Sequence, residues 1–251
     1  MILTMINQYL QQLTPEEGYA IYNLLGNLKY PGFIGILLWA SVKYRVSAKN
    51  KIVLWLTFAA AILWGGEMVP ALYRITGGII PKINMGVVFA FFVAVLAAMV
   101  YFLNVPVLLS LDIAIPAFIL GRGLAITGCL FAGCCHGFPM PWGIYSGAAK
   151  TLTFPTVPLD ILVSCSIVIH LMVLTSRQKY SGNGIVAATG MILFGILRLF
   201  IDILRDNQKL IFVLTAEGFF GIAYILAGWL LLRYISHKKM ENRPDSVSVQ
   251  T

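Results

Sequence analysis

Seven runs of about twenty apolar residues, centred on 25–44, 52–72, 84–104, 107–127, 157–175, 184–204 and 211–235, constrain this chain more than any motif in it. Wound as a helix, a run of that length is about 30 Å long, the thickness of a bilayer's hydrocarbon core. The first run is interrupted by Lys29, Pro31 and glycines. Only 11% of the 251 residues are charged and 59% are hydrophobic, whereas a soluble domain carries about 25% charged residues. So little charge cannot cover a water-facing surface, and the excess apolar surface must meet lipid. The sequence predicts an all-α polytopic integral membrane protein with about seven transmembrane helices.

The loop charges predict its orientation. Lys43, Arg45, Lys49 and Lys51 lie between the first two runs, Arg177 and Lys179 between the fifth and sixth, and Arg233, Lys238, Lys239 and Arg243 after the seventh. With seven spans these ten cations share one side, while Arg74, Lys82, Lys150, Lys209 and the acidic Glu16 and Glu17 fall on the other. The positive-inside rule then sets the N-terminus outside and the C-terminus in the cytoplasm. The net charge of +8 is explained by these loops, so nucleic acid is not expected as a partner. The N-terminus has no basic region or cleavage site of a signal peptide, and insertion is expected to use the first span. The expected organisation is an extracytoplasmic segment over 1–19, a membrane domain over 20–235 and a polar cytoplasmic tail over 236–251.

Charges inside the spans ask for a reason, since each costs roughly 2.5–3.5 kcal/mol at the bilayer centre. The densest group is FGILRLFIDILRD, residues 194–206. Arg198 and Asp202 are four apart and Asp202 and Arg205 three apart, which predicts that all three share one helix face. Such a stripe is either a self-neutralising ladder or two guanidiniums presented to an anion and oriented by a carboxylate. Its excess positive charge favours the anion, and a guanidinium's planar fork suits phosphate. Asp112 and Arg122 are ten apart on one predicted helix and so cannot pair directly. Asp112 is expected to stabilise a neighbouring helix, while Arg122, between Gly121 and Gly123, can approach another helix or a headgroup closely. His170 reads as a packed core histidine, Trp64, Trp142 and Trp229 as interfacial anchors, and Glu67 as part of a close helix contact. Glu217 fits either a headgroup or a partner arginine.

The longest non-cytoplasmic connection, about residues 132–156, contains most of GCLFAGCCHGFPMPWGI, residues 128–144. The spacing of Cys129, Cys134, Cys135 and His136 is not that of zinc knuckles, and there is no C-x-x-C redox pair. Metal ligation, redox pairing and compact packing of small thiols are the available readings; packing is expected, with no metal and no cofactor. Gly128, Gly133 and Gly137 permit close backbone approach and open N–H groups toward an anionic headgroup. Pro139 and Pro141 are expected to end the helix where the chain leaves the membrane.

These residues resemble the prolipoprotein diacylglyceryl transferase family in its cysteine-containing form, R-x-G-C-F-x-x-G-C-C-x-G followed by P-W-G. LSLDIAIPAFILGRGLAITGC is similar to the family's block in the fourth span, FPTVPLDILVS to a weakened H-P-T-Q-L-Y-E with Asp160 standing for the glutamate, and FGILRLFIDILRD to Y-G-x-x-R-x-x-x-E-x-x-R. The resemblance covers about residues 20–235. It implies transfer of the diacylglyceryl group of phosphatidylglycerol to the lipobox cysteine thiol of lipoprotein precursors. A thioether forms and glycerol-1-phosphate leaves, in the cytoplasmic (inner) membrane of a bacterium.

Carried onto this sequence, the resemblance gives Arg198, Asp202 and Asp160 catalytic roles and makes His136 a stand-in base. Substrate binding falls to Arg122, Arg205, Gly128, Cys129, Gly133 and Gly137, with Cys129 at a position often held by asparagine. The sequence departs from the family at three places. The histidine of S-x-H-G-G is absent from IIPKINMG at 79–86, Ile126 stands where an arginine is expected, and the glutamine–leucine after Thr156 is missing. A catalytically inactive paralogue that binds lipid or protein is the alternative, and a small transporter a weaker one.

Overall fold

The computed structural model describes residues 2–52, 55–56, 101, 106–177, 182–206 and 215–241. Its elements, in chain order, are α1 (Ile2–Gln12), α2 (Pro15–Gly26), α3 (Lys29–Lys43), α4 (Val107–Ala125), α5 (Thr127–Ala132), β1 (Pro139–Ser146), β2 (Thr151–Thr153), α6 (Thr156–Ser176), α7 (Ile185–Leu204) and α8 (Ala216–Glu241). Four stretches among the described residues are long and apolar enough to cross a bilayer: Val107–Ala132, Thr156–Ser176, Ile185–Leu204 and Glu217–Lys238. They coincide with the fourth to seventh predicted runs. The first run is split at Asn27 between α2 and α3, where the chain turns without a side-chain cap. The second and third runs, with Trp64, Glu67 and the 79–86 stretch, lie outside the described residues, as does the tail from 242.

Helix α4 is the hub. The apolar window of the Val107–Ala132 stretch, α4 with α5, is 67% buried, against 33% for α6 and 22% for that of Glu217–Lys238 in α8, so this stretch is wrapped by protein while α6 and α8 present apolar side chains outward. Ile113, Ile115 and Ile119 of α4 are enclosed with Leu171 of α6 and Val186 and Ile201 of α7. Asp112 explains how a carboxylate survives in that core. It accepts hydrogen bonds from the backbone N–H groups of Gly184 (2.9 Å) and Ala187 (2.8 Å) at the start of α7, so one helix caps another and a negative charge meets the positive end of a helix dipole.

Close backbone approach fixes the other pairs. A methyl group at Gly195 of α7 would lie 2.5 Å from the Gly221 carbonyl oxygen of α8, and one at Gly123 of α4 would lie 2.8 Å from Ser164 Cβ of α6. Small residues at helix crossings let dispersion contacts hold spans together where no hydrophobic force between helices operates.

The all-α expectation needs one addition. β1 and β2 form an antiparallel hairpin with Ile144, Tyr145 and Ser146 opposite Thr153, Leu152 and Thr151, and with a bulge after Pro139. α1 lies on this hairpin, where the Asn7 side-chain amide donates to the Gly143 carbonyl (3.0 Å) and accepts from Tyr145 N–H (2.9 Å). Pro139 and Pro141 therefore sit in a strand. What ends the preceding helix is Gly133, in the left-handed conformation at φ 66°.

Candidate active site

Three helices deliver the charged groups. Arg122 comes from the last turn of α4, Asp160 from the first turns of α6 and Arg198 from α7. The sequence expectation that Arg205 continues the α7 face is corrected here. The helix ends at Leu204, and Arg205 is extended (φ −82°, ψ 141°) and bridges to Gly137. The Phe138 N–H donates to the Leu204 carbonyl (3.2 Å) and the Asp206 N–H to the His136 carbonyl (3.3 Å). A pairing between remote segments thus overrides the helical period.

Asp160 is fully buried and gathers three guanidiniums. It forms an ion pair with Arg122 Nη1 and lies 3.3 Å from Arg198 Nη1 and 3.6 Å from Arg205 Nη2. The Ser164 hydroxyl also donates to it, at 3.4 Å. Glu217 closes the cluster from α8: its Oε2 pairs with Arg198 and lies 2.8 Å from Arg205 Nη1. The Arg122 guanidinium sits 5.6 Å from the Phe194 ring centroid, a cation–π contact that helps desolvated charge persist beside apolar side chains.

Asp202 acts at one remove. It accepts from the Thr215 N–H (2.8 Å) and the Thr215 hydroxyl, and that hydroxyl in turn accepts from the Glu217 N–H at 3.1 Å. It thereby anchors the start of α8 and sets where Glu217 meets the arginines. Glu217 is the residue for which sequence reasoning found two uses and chose neither; its signal was an acid at one end of an apolar run.

Arg122, Arg205, Glu217 and Lys29 line a cavity of about 390 Å³ together with Cys129, Cys134, Cys135, Tyr22 and Asn23. Of the predicted residues, Arg122, Arg198, Arg205 and Asp160 are thus assembled at one place, and Cys129 lines the space beside them. Gly128 lies where α2 passes: a methyl there would come 2.6 Å from the Tyr22 carbonyl oxygen. Gly137 fits between Phe154 and the Leu204 carbonyl. His136 lines a smaller cavity of about 20 Å³ with Cys129, Cys135, Thr153 and Pro155, its Nδ1 3.2 Å from the Gly137 carbonyl oxygen, and is not among the residues that line the arginine cavity.

The thiols of Cys129, Cys134 and Cys135 converge on the same cavity, all three Sγ atoms lying within 4.8 Å of one another. They are the described residues that could hold a metal ion. Cys135 lies well below the ordinary thiol range because the neighbouring thiols hydrogen-bond to its sulfur and Arg205 and Arg122 add positive field. Among the described residues, three arginines meet two carboxylates in this cluster, and Lys29 lines the same cavity. Guanidiniums gathered beside a cavity can bind an anionic group.

The family model described as prolipoprotein diacylglyceryl transferase matches residues 19–234. The phosphatidylglycerol–prolipoprotein diacylglyceryl transferase of Finegoldia magna is 33% identical over 145 residues, covering 57% of this chain and 56% of that protein. The phosphatidylglycerol–prolipoprotein diacylglyceryl transferase 2 of Clostridium perfringens is 28% identical over 140 residues, or 54% of each chain. The chain spans about half the length of the relatives it matches, and no solved structure matches it. With most of its length under the family model, this chain belongs to the prolipoprotein diacylglyceryl transferase family.

Proposed function

We propose that the chain transfers the diacylglyceryl group of phosphatidylglycerol to the lipobox cysteine thiol of prolipoproteins, forming a thioether and releasing glycerol-1-phosphate. One observation carries this reading: three buried arginines converge on Asp160, and two of them, Arg122 and Arg205, line a cavity that has room for a headgroup. Arg122 and Arg205 receive the phosphate, and Arg198 supports the charge that develops on it as the carbon–oxygen bond breaks. Asp160 holds the three guanidiniums at one spot, so the field is organised before the lipid arrives. Glu217 competes with the phosphate for Arg198 and Arg205 and moves aside or is compensated when the anion enters. Gly128, Gly133 and Gly137 let α2, the hairpin and the end of α7 pack closely around the loop that borders the cavity, and Asp202 positions Glu217 through Thr215.

In this reading the protein has seven spans, with residues 1–19 and the connection over about 132–156 on the outer face and residues 236–251 in the cytoplasm. It resides in the bacterial inner membrane, where phosphatidylglycerol and exported precursors meet. The test is incubation of the full chain, in nanodiscs containing diacyl-labelled phosphatidylglycerol, with a lipobox peptide. Label should move to the peptide, and kcat/KM should fall about 10²–10³-fold in Arg198→Ala, with the variant still folded by size exclusion. Wild type that retains labelled lipid but transfers none would overturn the enzyme reading in favour of a lipid-binding paralogue.

A further inference from the structure

The thiols whose spacing argued against a zinc knuckle are brought together by the fold. The left-handed Gly133 turns the chain back at the end of α5, so Cys134 and Cys135 return toward Cys129 one helical turn earlier. Cys134 and Cys135 Sγ are 3.8 Å apart. Two thiolates bound about 2.3 Å from a tetrahedral zinc also stand about 3.8 Å apart. The third sulfur, within 4.8 Å of both, needs to close by no more than about 1 Å to complete the set.

The loop that carries these thiols is tied down on both sides. The Cys135 carbonyl accepts from the Thr156 hydroxyl (2.6 Å), the Gly133 carbonyl from the Ser146 hydroxyl (3.1 Å) and the His136 carbonyl from the Asp206 N–H (3.3 Å). None of the three cysteines is in a disulfide, and no fourth His, Cys, Asp or Glu among the described residues joins their group. Three protein ligands with the remaining side open to a cavity is the pattern of a catalytic zinc rather than a closed structural one. The cavity in question is the one lined by Arg122, Arg205 and Glu217.

We propose that Cys129, Cys134 and Cys135 hold a thiophilic divalent cation, zinc foremost, whose fourth position faces this cavity and takes the acceptor peptide's thiol as a thiolate. The identity of that fourth ligand rests on the transferase reading; the three-thiol site does not. On loading, the cysteine thiols release their protons to water, and zinc with three thiolates carries one net negative charge that Arg122, Arg205 and Lys29 offset. The acceptor thiol likewise gives its proton to water as it ligates. Its sulfur then forms the bond to the glyceryl carbon while the carbon–oxygen bond to phosphate breaks, the electron pair leaving on the phosphate oxygen beside the guanidiniums. A metal in this position supplies the thiolate that a general base otherwise makes, and IIPKINMG offers no histidine to do so.

The experiment uses the full chain in nanodiscs, stripped with a chelator and reloaded with zinc or cobalt(II). Elemental analysis should find one zinc per folded chain, lost in Cys129→Ser and in Cys135→Ser and kept in Cys165→Ser. In wild type alone, without any variant, zinc should protect three of the four cysteines from a maleimide and leave Cys165 reactive on denaturant-free exposure to detergent. The cobalt(II) form should show thiolate charge-transfer bands, and its ligand-field bands should shift on adding a lipobox peptide but not its cysteine-to-serine analogue. Folded wild type that holds no stoichiometric metal, or cobalt bands blind to the cysteine peptide, would overturn the proposal. Undiminished diacylglyceryl transfer by metal-stripped chain would overturn the acceptor thiolate as the fourth ligand and leave the transferase reading intact. A cysteine-dependent zinc that answers to the peptide, in a chain that never transfers lipid, would keep the site and remove the transferase reading.

Discussion

Replacing Asp160 by asparagine tests whether one buried carboxylate organises the arginine cluster. The substitution keeps the shape and deletes the charge, so the balance of three arginines against two carboxylates becomes three against one. Breaking a buried ion pair from one side costs about 3–5 kcal/mol, because the partner stays desolvated. Glu217 continues to hold Arg198 and Arg205, which sets the expected cost at the lower end, about 3 kcal/mol. For a chain of this size each kcal/mol moves the melting midpoint by about 2–4 °C, so the midpoint should fall by about 6–12 °C. The assay is thermal unfolding in one detergent, with Glu217→Gln as comparator. The Glu217 side chain is 31% exposed, and solvent screening should limit its loss to about 1 kcal/mol. Removing the opposed charge in Asp160→Asn with Arg122→Met should recover part of the loss. A midpoint for Asp160→Asn within about 2 °C of wild type, or a larger loss from Glu217→Gln, would refute the reasoning.

Gly123→Ala should push α4 from α6, since its methyl would lie 2.8 Å from Ser164 Cβ; a loss of about 1–3 kcal/mol is expected, and Ser164→Gly in the same chain should relieve it in a double-mutant thermal cycle. Glu217→Gln should increase retention of an anionic lipid, because the competing carboxylate charge is gone; native mass spectrometry of the detergent-solubilised chain measures this. Asn7→Ala removes both hydrogen bonds between α1 and β1, at about 0.5–1.5 kcal/mol each, and should raise amide exchange across Ile2–Gln12 while leaving α7 unchanged. Glu17 is held below its ordinary value of 4.5 by the Thr14 N–H and hydroxyl. Its depressed value means that the cap contributes fully above the unfolded carboxylate range and is lost as pH falls through the lowered value, so amide exchange in the first turn of α2 should rise only on acidification.

The four helices long and apolar enough to cross a bilayer were readable because each is a long apolar run whose physics is local. That Arg198 and Asp202 lie on one helix was readable because a helix repeats every 3.6 residues, but their partners, Asp160 and Glu217 for Arg198 and Thr215 for Asp202, come from other segments. Arg205 was misplaced because no glycine or proline marks the end of α7, and the strand-like bridge to Gly137 that ends it is a tertiary fact. The pairing of Arg122 with Asp160 joins residues 38 apart on different helices, and nothing in either helix's own pattern names the other. The hairpin was hidden by Pro139 and Pro141, which read as helix breakers when the helix had already been ended by Gly133. The thiol cluster was hidden for the same reason, since spacing in sequence says little once a left-handed glycine reverses the chain.

The central claim is that the buried arginine cluster handles the phosphate of a lipid whose glyceryl carbon is passed to a thiol. Mass spectrometry of a lipobox peptide, after incubation with the wild-type chain and phosphatidylglycerol, tests it most directly. The account predicts a peptide heavier by one diacylglyceryl group through a hydroxylamine-resistant thioether, with equimolar glycerol-1-phosphate, and neither product from Arg198→Ala. An unmodified peptide with the lipid intact, from folded wild-type chain loaded with zinc, would contradict it.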